Sequence, residues 1–312
     1  MLQTIELTKR FGATLAVDAL SIEVRKGDLV GLLGPNGAGK STTISMIATL
    51  LEPDSGKILY NGQDLMAHPE AIRKGLGFVP QNIALYQDLS GRDNLKFWGR
   101  LYGLKGDLLK RRIEEVSEII GISDRLKDKV KAYSGGMKRR LNIGAALLHQ
   151  PEFLIMDEPT VGIDPQSRNH ILDAVKALNR EGMTILYTSH YMEEVEELCR
   201  TIYIMDLGKL IASGTKEALL AAAGGGEEVT AKFETVSDAL ISGLKNLNGL
   251  IALAQTPEAP QTVTLSFGGD GGHLKPVIEL ATELGHPLLS VDVSKPNLES
   301  VFLKLTGKAL RD

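Results

Sequence analysis

The pattern of hydrophobic and polar residues predicts two kinds of strand in the first two-thirds of the chain. Residues 20–25 alternate apolar and polar side chains before a Lys26–Gly27 turn, which is typical of half-buried antiparallel strands. Residues 153–156 are continuously apolar, as in strands buried inside a parallel sheet, and residues 184–188 form a similar strand. We therefore expect an α/β fold with a mostly parallel sheet and an antiparallel β subdomain.

Helical spacing dominates the middle of the chain, from about residue 82 to residue 150. Ser90 and Asp93 have the spacing of a capping box, and apolar residues follow at helical intervals. A second helix is predicted to end at Gly121. The aromatic residues Phe97, Trp98 and Tyr102 lie in this helical subdomain. Such residues are more often core than interface, but they also mark a candidate docking surface.

The last part of the chain has its own periodicity. Gly224, Gly225 and Gly226 predict a linker at 223–227, between a first domain at 1–222 and a C-terminal domain at 228–312. Strand and helix patterns follow in the order βαββαβ, which predicts a small ferredoxin-like α+β fold. This domain contains no motif that suggests chemistry. Two roles stay open for it: a dimer-stabilising or regulatory module, or a spacer that caps the first domain.

Composition excludes several functional classes. The 312 residues are 43% hydrophobic and 24% charged, without a secretory signal or an apolar stretch long enough for a bilayer span, so we expect a cytoplasmic protein without direct membrane insertion. Residues 227–312 contain seven Lys or Arg and eleven Asp or Glu, whereas residues 1–226 contain 28 of each. This balance does not favour nucleic acid as a partner. The single cysteine, Cys199, predicts a buried thiol and no internal disulfide.

The most specific motif follows the strand that begins at Leu29. It has the form G-x-x-x-x-G-K-S, and its three glycines allow successive backbone N–H groups to converge on an anion. Lys40 would reach the β- and γ-phosphates of a nucleotide, and Ser41 would hold Mg²⁺. The predicted phosphate loop consists of Gly34, Pro35, Asn36, Gly37, Ala38, Gly39, Lys40, Ser41 and Thr42.

A second helix start also favours an anion. Ser134 is a predicted N-cap, Gly135 and Gly136 lie at the mouth of the helix, and three basic residues follow Met137. Alone, this motif would be a plain serine-capped helix. Two anion-binding helix ends in one chain require an explanation.

Carboxylates and a histidine follow the predicted buried strands. Asp157 and Glu158 follow one of them, at the sheet edge where open α/β folds place ligands. Asp157 would orient the hydration shell of Mg²⁺, and Glu158 would polarise the water that attacks the γ-phosphate. His190 follows the strand at 184–188, a position that favours function. No His/Cys/Asp cluster has the spacing of a zinc or iron site.

Together, GPNGAGKST, Gln81, YSGGM, LIMDE and His190 resemble the ATP-binding cassette of ABC transporters over about residues 1–220. The resemblance implies a P-loop NTPase of the RecA-like type in which two cassettes meet head to tail around ATP and Mg²⁺. The partner's Ser134, Gly135 and Gly136 would then close over the γ-phosphate, which explains the second helix end.

The resemblance also implies roles for individual residues. It assigns Gln81 to Mg²⁺ and coupling, Asp164 to the dimer-contact loop and His190 to γ-phosphate contact. It makes Phe11 the adenine-stacking residue, although an aromatic at that position is more often part of a small core. The signature departs from Leu-Ser-Gly-Gly-Gln at Tyr133 and Met137, so the role of the last glutamine is lost or altered.

The signature variant and the ending VFLKLTGKALRD are similar to the drug-export branch of the family. That branch pairs with a separate permease of the ABC-2 type. The resemblance therefore implies an ATPase subunit that forms a homodimer and is peripheral on the inner face of the cell membrane. Two alternatives are a soluble ABC ATPase in translation or repair, and an importer ATPase with a sensing C-terminal domain. The transported substrate does not follow from the sequence.

Overall fold

A computed structural model describes residues 1–222, 226–255, 259–268, 271–294 and 297–306. The chain divides into two compact units, of which the first comprises Met1–Thr215 and the second begins at Lys216. Residues 223–225, which include most of the predicted glycine linker, lie outside the described residues. The predicted domain boundaries at 222 and 228 therefore stay predictions.

The strands of the first unit form two sheets. In chain order, they are β1 (Leu2–Phe11), β2 (Thr14–Leu20), β3 (Glu23–Val24), β4 (Leu29–Leu33), β5 (Ser55–Tyr60), β6 (Gln63–Asp64), β7 (Leu76–Val79), β8 (Phe153–Asp157), β9 (Thr184–Ser189), β10 (Thr201–Asp206) and β11 (Lys209–Gly214).

The described part of the first unit also contains seven α-helices. In chain order, they are α1 (Lys40–Ile47), α2 (Glu70–Arg73), α3 (Gly91–Leu101), α4 (Gly106–Ile119), α5 (Gly135–Leu147), α6 (Pro165–Arg180) and α7 (Met192–Leu198).

The larger sheet positions the predicted site. Its strand order is β11-β10-β4-β9-β8-β7, and all neighbours are parallel except the β10–β11 hairpin. β4, β8 and β9 are buried along their whole length, which confirms the expectation of buried parallel strands. Because β9 lies between β4 and β8, the residues that follow these three strands meet at one sheet edge.

The smaller sheet is antiparallel, with the order β2-β1-β5-β6 and with β3 paired to β1. The predicted alternation is confirmed: Leu20, Ile22 and Val24 are buried, whereas Ser21 is exposed. The apolar face of this sheet, α1 and part of the parallel sheet share one hydrophobic core. Burying that shared face stabilises the position of α1 beside β4.

Local caps define the starts of the longer helices. Ser90 Oγ accepts a hydrogen bond from the backbone N–H of Asp93 at 3.0 Å, which confirms the predicted start of α3. Ser134 Oγ caps α5 through Met137 N at 3.2 Å. Asp164 Oδ1 caps α6 through the N–H of Ser167 at 2.9 Å. Each bond satisfies a helix N–H group that has no partner inside the helix.

The second unit has the predicted βαββαβ order after an initial helix. Its elements are α8 (Lys216–Ala222), β12 (Glu228–Phe233), α9 (Asp238–Lys245), β13 (Leu250–Gln255), β14 (Thr262–Phe267), α10 (Leu274–Glu283), β15 (Leu288–Ser294) and α11 (Leu298–Thr306).

The sheet of the second unit has the order β13-β14-β12-β15 and is antiparallel throughout. Alternate residues of β12 and β14, among them Phe233 and Phe267, are buried against α9 and α10. The element order and the strand order are those of a ferredoxin-like fold. None of the helices in the described ranges combines the length and the hydrophobicity that a bilayer span requires.

Candidate active site

A cavity of about 470 Å³ opens where β4 leads into the predicted phosphate loop. It lies at the carboxyl end of the parallel strands, where open α/β sheets bind ligands. Residues from β2, from this loop and from the segments after β7, β8 and β10 line the cavity: Thr14, Leu15, Ala16, Asn36, Gly37, Ala38, Gly39, Lys40, Ser41, Thr42, Gln81, Glu158 and Leu207.

The loop between β4 and α1 needs glycine for two different reasons. Gly39 has φ +102°, and a Cβ atom there would lie 2.4 Å from the carbonyl oxygen of Ala16. A Cβ atom on Gly34 would lie 2.4 Å from the carbonyl oxygen of Met205. Larger residues at either position would push the loop away from the sheet, so the tight curve that turns N–H groups inward depends on these glycines.

Lys40 extends back along this loop instead of outward into solvent. Its Nζ atom donates to the carbonyl oxygens of Gly34 at 2.7 Å and Pro35 at 3.1 Å, and it lies 3.0 Å from Glu158 Oε1. The lysine and Glu158 are both almost completely buried. The cation therefore sits at the bottom of the cavity, held by three oxygen atoms.

Asp157 is linked to the first turn of α1. Ser41 Oγ donates to Asp157 Oδ1 at 3.3 Å, and Thr188 Oγ1 donates to the same oxygen at 2.9 Å. Burial raises the pKa of the Asp157 carboxyl above its ordinary value, and these two hydroxyl groups oppose that shift. A hydroxyl and a buried carboxylate oxygen side by side are ligands that suit Mg²⁺, which prefers oxygen.

Three separate segments of the chain provide polar partners for the Glu158 carboxylate. This carboxylate lies against Lys40, accepts from Gln81 Nε2 at 3.1 Å and lies 3.3 Å from His190 Nδ1. The backbone of Glu158 has φ +45°, a conformation that residues other than glycine seldom adopt, and its N–H donates to Thr188 Oγ1 at 3.0 Å. Strained backbone held by its surroundings is typical of functional positions.

The structure thus brings six of the predicted residues together: Lys40, Ser41, Gln81, Asp157, Glu158 and His190. A buried carboxylate beside an anion-binding loop and an imidazole can accept a proton from water.

The predicted residues at the starts of α5 and α6 lie outside the cavity of this chain, whereas residues 36–42 of the predicted phosphate loop line it. Ser134, Gly135 and Gly136 do not line the cavity. A Cβ atom on Gly136 would touch Ser167, so the start of α5 packs against the first turn of α6, which Asp164 caps. Their site roles are therefore not tested within one copy of the chain.

Phe11 ends β1, and its side chain is 51% exposed. Lys9 Nζ lies 5.8 Å from the centre of its ring. The ring is therefore not part of the small core that its position alone had favoured. Its predicted adenine contact stays a prediction, because Phe11 does not line the cavity, whereas Thr14, Leu15 and Ala16 of β2 do.

The segment that contains Gln81 is attached to α5. Arg139 Nη1 donates to the carbonyl oxygen of Pro80 at 2.9 Å, and Asn142 Oδ1 accepts from the N–H of Ala84 at 3.1 Å. Burial lowers the pKa of the Arg139 guanidinium, and the charge of Asp157 opposes that shift. A movement of α5 would therefore be transmitted to Pro80 and Ala84, on either side of Gln81.

Sequence reasoning missed two positions that shape the site. Thr188 joins Asp157 to the backbone of Glu158, and the only signal for it was a polar residue at the end of a buried strand. Glu194 on α7 is completely buried and accepts hydrogen bonds from three hydroxyl groups. Nothing in the sequence distinguished Glu194 from the other glutamates of its helix.

Comparison with known proteins gives concordant matches. Residues 17–161 match a family model described as ABC transporter. The chain is 47% identical over 312 residues to the linearmycin resistance ATP-binding protein LnrL of Bacillus subtilis, with 100% of both chains covered. It is 38% identical over 307 residues to the Nod factor export ATP-binding protein I of Ralstonia nicotianae, with 98% of this chain and 94% of the relative covered.

A solved structure described as the ATP binding subunit of an ABC transporter supports the same fold. It superimposes with a TM-score of 0.65 at 31% sequence identity. The alignment covers 72% of this chain and 93% of that protein.

Proposed function

This chain belongs to the ABC transporter family, and we propose that its cavity binds and hydrolyses ATP·Mg²⁺. In this proposal the cavity is one half of a complete site, and a second copy of the chain supplies the other half in a head-to-tail homodimer. The chain is the ATP-binding and hydrolysing subunit of an exporter. Its close relatives carry names of drug resistance and Nod factor export proteins.

One observation carries the proposal: Lys40 and Glu158 meet at the bottom of a glycine loop, 3.0 Å apart and buried. An anion-binding loop alone serves many nucleotide-binding proteins. A carboxylate placed beside its lysine adds a group that can accept a proton where a terminal phosphate would lie.

The residues of the cavity have different roles in the proposed hydrolysis. The N–H groups of the loop and Lys40 bind the phosphates, and Glu158 accepts a proton from the attacking water. His190, which already contacts Glu158, holds the γ-phosphate. Ser41 and Gln81 would supply oxygen ligands for Mg²⁺, and Asp157 would orient the hydration shell of the ion. When bound there, Mg²⁺ would supply positive charge against the phosphates.

The second half of each site comes from another copy of the chain. Cassettes of this family dimerise and work with separate membrane components. In one copy, the start of α5 at Ser134 lies outside the cavity, although its capped N-terminus and its glycines suit a phosphate. We assign Ser134, Gly135, Gly136 and Asp164 to the partner's site, where they close over its γ-phosphate.

The helical subdomain is the proposed contact with an ABC-2 type permease, which would keep the chain peripheral on the inner face of the membrane. Phe97, Leu101 and Tyr102 of this subdomain are exposed. The rings of Tyr86 and Phe97 meet edge to face at 4.8 Å, so these two exposed aromatic residues form one continuous apolar surface. Exposed apolar patches of this kind mark interaction sites.

ATP hydrolysis by the purified full chain tests this assignment. We expect Mg²⁺-dependent release of phosphate that shows cooperativity in ATP, because each complete site needs residues from two copies of the chain. Release at the same rate by the Lys40→Ala variant would contradict the role of the cavity.

A further inference from the structure

Glu194 is a charged side chain without contact to the cavity, and it is completely buried on α7. Its Oε2 atom accepts hydrogen bonds from Thr160 Oγ1, Tyr187 OH and Ser189 Oγ, each at 2.9 Å. Burying a carboxylate costs free energy unless its oxygens accept hydrogen bonds or lie beside a cation. Here a single oxygen accepts hydrogen bonds from three hydroxyl donors. The carboxylate therefore fixes the positions of all three hydroxyl groups.

Two of these hydroxyl groups belong to the segments that carry the proposed catalytic residues. Thr160 is two residues after Glu158, and Ser189 immediately precedes His190. Ser189 Oγ also accepts from the N–H of Tyr191 at 2.9 Å, so Glu194 holds the backbone on both sides of His190. One carboxylate oxygen thus sets the spacing between the segment after β8 and the segment after β9.

The other oxygen of Glu194 faces α6. Arg168 Nε lies 2.8 Å from Oε1, an ion-pair distance at which the N–H bond does not point at the oxygen. The Arg168 guanidinium also lies 5.2 Å from the ring centre of Tyr191, and that ring is 4.1 Å from the ring of His190. This gives a second route from Glu194 to the same histidine.

Arg168 connects these contacts to the start of α6. Its backbone N–H donates to the carbonyl oxygen of Asp164 as part of the first turn of α6, and Asp164 is the residue that we assign to the dimer contact. We name Thr160, Arg168, Tyr187, Ser189 and Glu194 the Glu194 cluster. The cluster joins the segments after β8 and β9 and the first turns of α6, without touching the phosphate loop.

We propose that Glu194 is a positioning residue, which aligns Glu158 and His190 with one another and with the Asp164 segment so that hydrolysis follows closure of the dimer. This inference rests on the proposed ATPase function. It assigns Glu194 to the rate of hydrolysis more than to nucleotide affinity, because Lys40 and the loop amides, which provide most of the phosphate contacts, do not touch the cluster.

The test compares Glu194→Gln with Glu193→Gln in the full chain. Glutamine has the shape of glutamate, but it loses the charge and turns one acceptor into a donor. Glu193 is the matched control: it is the adjacent residue, its side chain is 90% exposed, and it lies 3.5 Å from the same Arg168. The measurements are kcat at saturating ATP, affinity for an ATP analogue with an imido bridge between the β- and γ-phosphates, and Tm.

We expect Glu194→Gln to lower kcat by about 10-fold or more, because small displacements of catalytic groups have effects of that size. Analogue affinity should stay within about 2-fold, since the phosphate loop is unchanged. Glu193→Gln should change neither quantity by more than about 2-fold. A wild-type kcat in Glu194→Gln, or equal losses of kcat and analogue affinity, would overturn the proposal.

Thr160→Val and Ser189→Ala keep the test decisive if Glu194→Gln does not fold. Each removes one hydroxyl group and leaves the carboxylate with its other donors, so each should lower kcat by about 3-fold to 10-fold. Combined with a folded Glu194→Gln, neither should cause a further loss, because residues of one network are not additive. Wild-type kcat in both single variants would refute the role of Glu194.

The proposed function and this inference fail in different ways. If the wild-type chain binds no ATP analogue and releases no phosphate, the ATPase assignment fails. If the wild type hydrolyses ATP and Glu194→Gln does so equally fast, only the positioning role of Glu194 fails.

Discussion

Lys40 Nζ lies 3.0 Å from Glu158 Oε1, and the two side chains are 4% and 5% exposed. The residue proposed to bind phosphate and the residue proposed to accept a proton therefore neutralise each other at the bottom of one cavity. A phosphate that binds Lys40 competes with the Glu158 carboxylate for the same cation. Binding thus frees the carboxylate, at the position where the attacking water needs a base.

The Lys40→Met variant tests this pairing. It removes the phosphate contact and leaves Glu158 buried without its cation, so we expect ATP binding to fall at least about 10-fold and Tm to fall by about 5 °C or more. Isothermal titration calorimetry and thermal unfolding measure the two effects. Lys176→Met is the control, because Lys176 pairs with Glu197 at the surface, where such a pair adds little stability. Equal losses in both variants would contradict a special role for Lys40.

The conformation of Gly39 leads to a second prediction. Gly39→Ala combines a strained φ of +102° with a contact of 2.4 Å to the carbonyl oxygen of Ala16, so the loop must move. Gly182 has a similar φ of +97°, but nothing lies within 4 Å of its Cβ position. Gly182→Ala should therefore cost only about 1 kcal/mol of backbone strain and keep full ATP affinity. We expect Gly39→Ala to lose ATP binding, measured by equilibrium dialysis; wild-type affinity would show that the loop tolerates the side chain.

Cys199 provides a prediction about thiol chemistry. Burial raises the pKa of its thiol far above the ordinary value of 9.0, and the charge of Glu194 adds to that shift. We expect Ellman's reagent at about pH 8 to react with the folded chain at least about 100-fold more slowly than with the chain in guanidinium chloride.

The same pKa shift sets the sign of a pH effect. Above about pH 9 the unfolded chain loses the thiol proton while the folded chain keeps it, so this group reduces the free energy of unfolding as pH rises. Cys199→Ala should lose less stability than the wild type between neutral and alkaline pH in urea titrations. An identical pH dependence in the two proteins would rule out this contribution.

The exposed end of α3 supports a prediction about the permease. Leu101 is 67% exposed at the end of that helix, and Leu50, outside the helical subdomain, is 68% exposed. Leu101→Arg should leave ATPase activity of the isolated chain within about 2-fold and abolish co-purification with a membrane partner, because a charge in an apolar interface is costly. Leu50→Arg should change neither. Retention of the membrane partner by Leu101→Arg would exclude α3 as its contact.

Features that depend on neighbouring residues could be predicted from the sequence. The cap of α3 needs only Ser90 and Asp93, three residues apart, and the phosphate loop needs only a glycine pattern before Lys40. The βαββαβ order of the second unit followed from periodicity in the same way. These features are local, so a short window of sequence determines them.

Contacts between distant segments could not be predicted in that way. Thr188 reaches Asp157 because β9 lies beside β8 in the sheet, although α6 and other segments separate the two strands along the chain. The role of Glu194 depends on hydroxyl groups that the fold brings to it from the segment after β8 and from β9. Strand order decides such contacts, and hydrophobic periodicity does not specify strand order.

The most direct test of the account is steady-state ATP hydrolysis by Glu158→Gln, measured beside analytical ultracentrifugation with ATP. The amide keeps the shape of the side chain but cannot accept a proton, and it no longer competes as a charge for Lys40. We expect turnover to fall at least about 100-fold, with ATP binding intact and an ATP-dependent dimer that persists. An undiminished rate of hydrolysis in this variant would contradict the role of Glu158, and with it the mechanism proposed for the site.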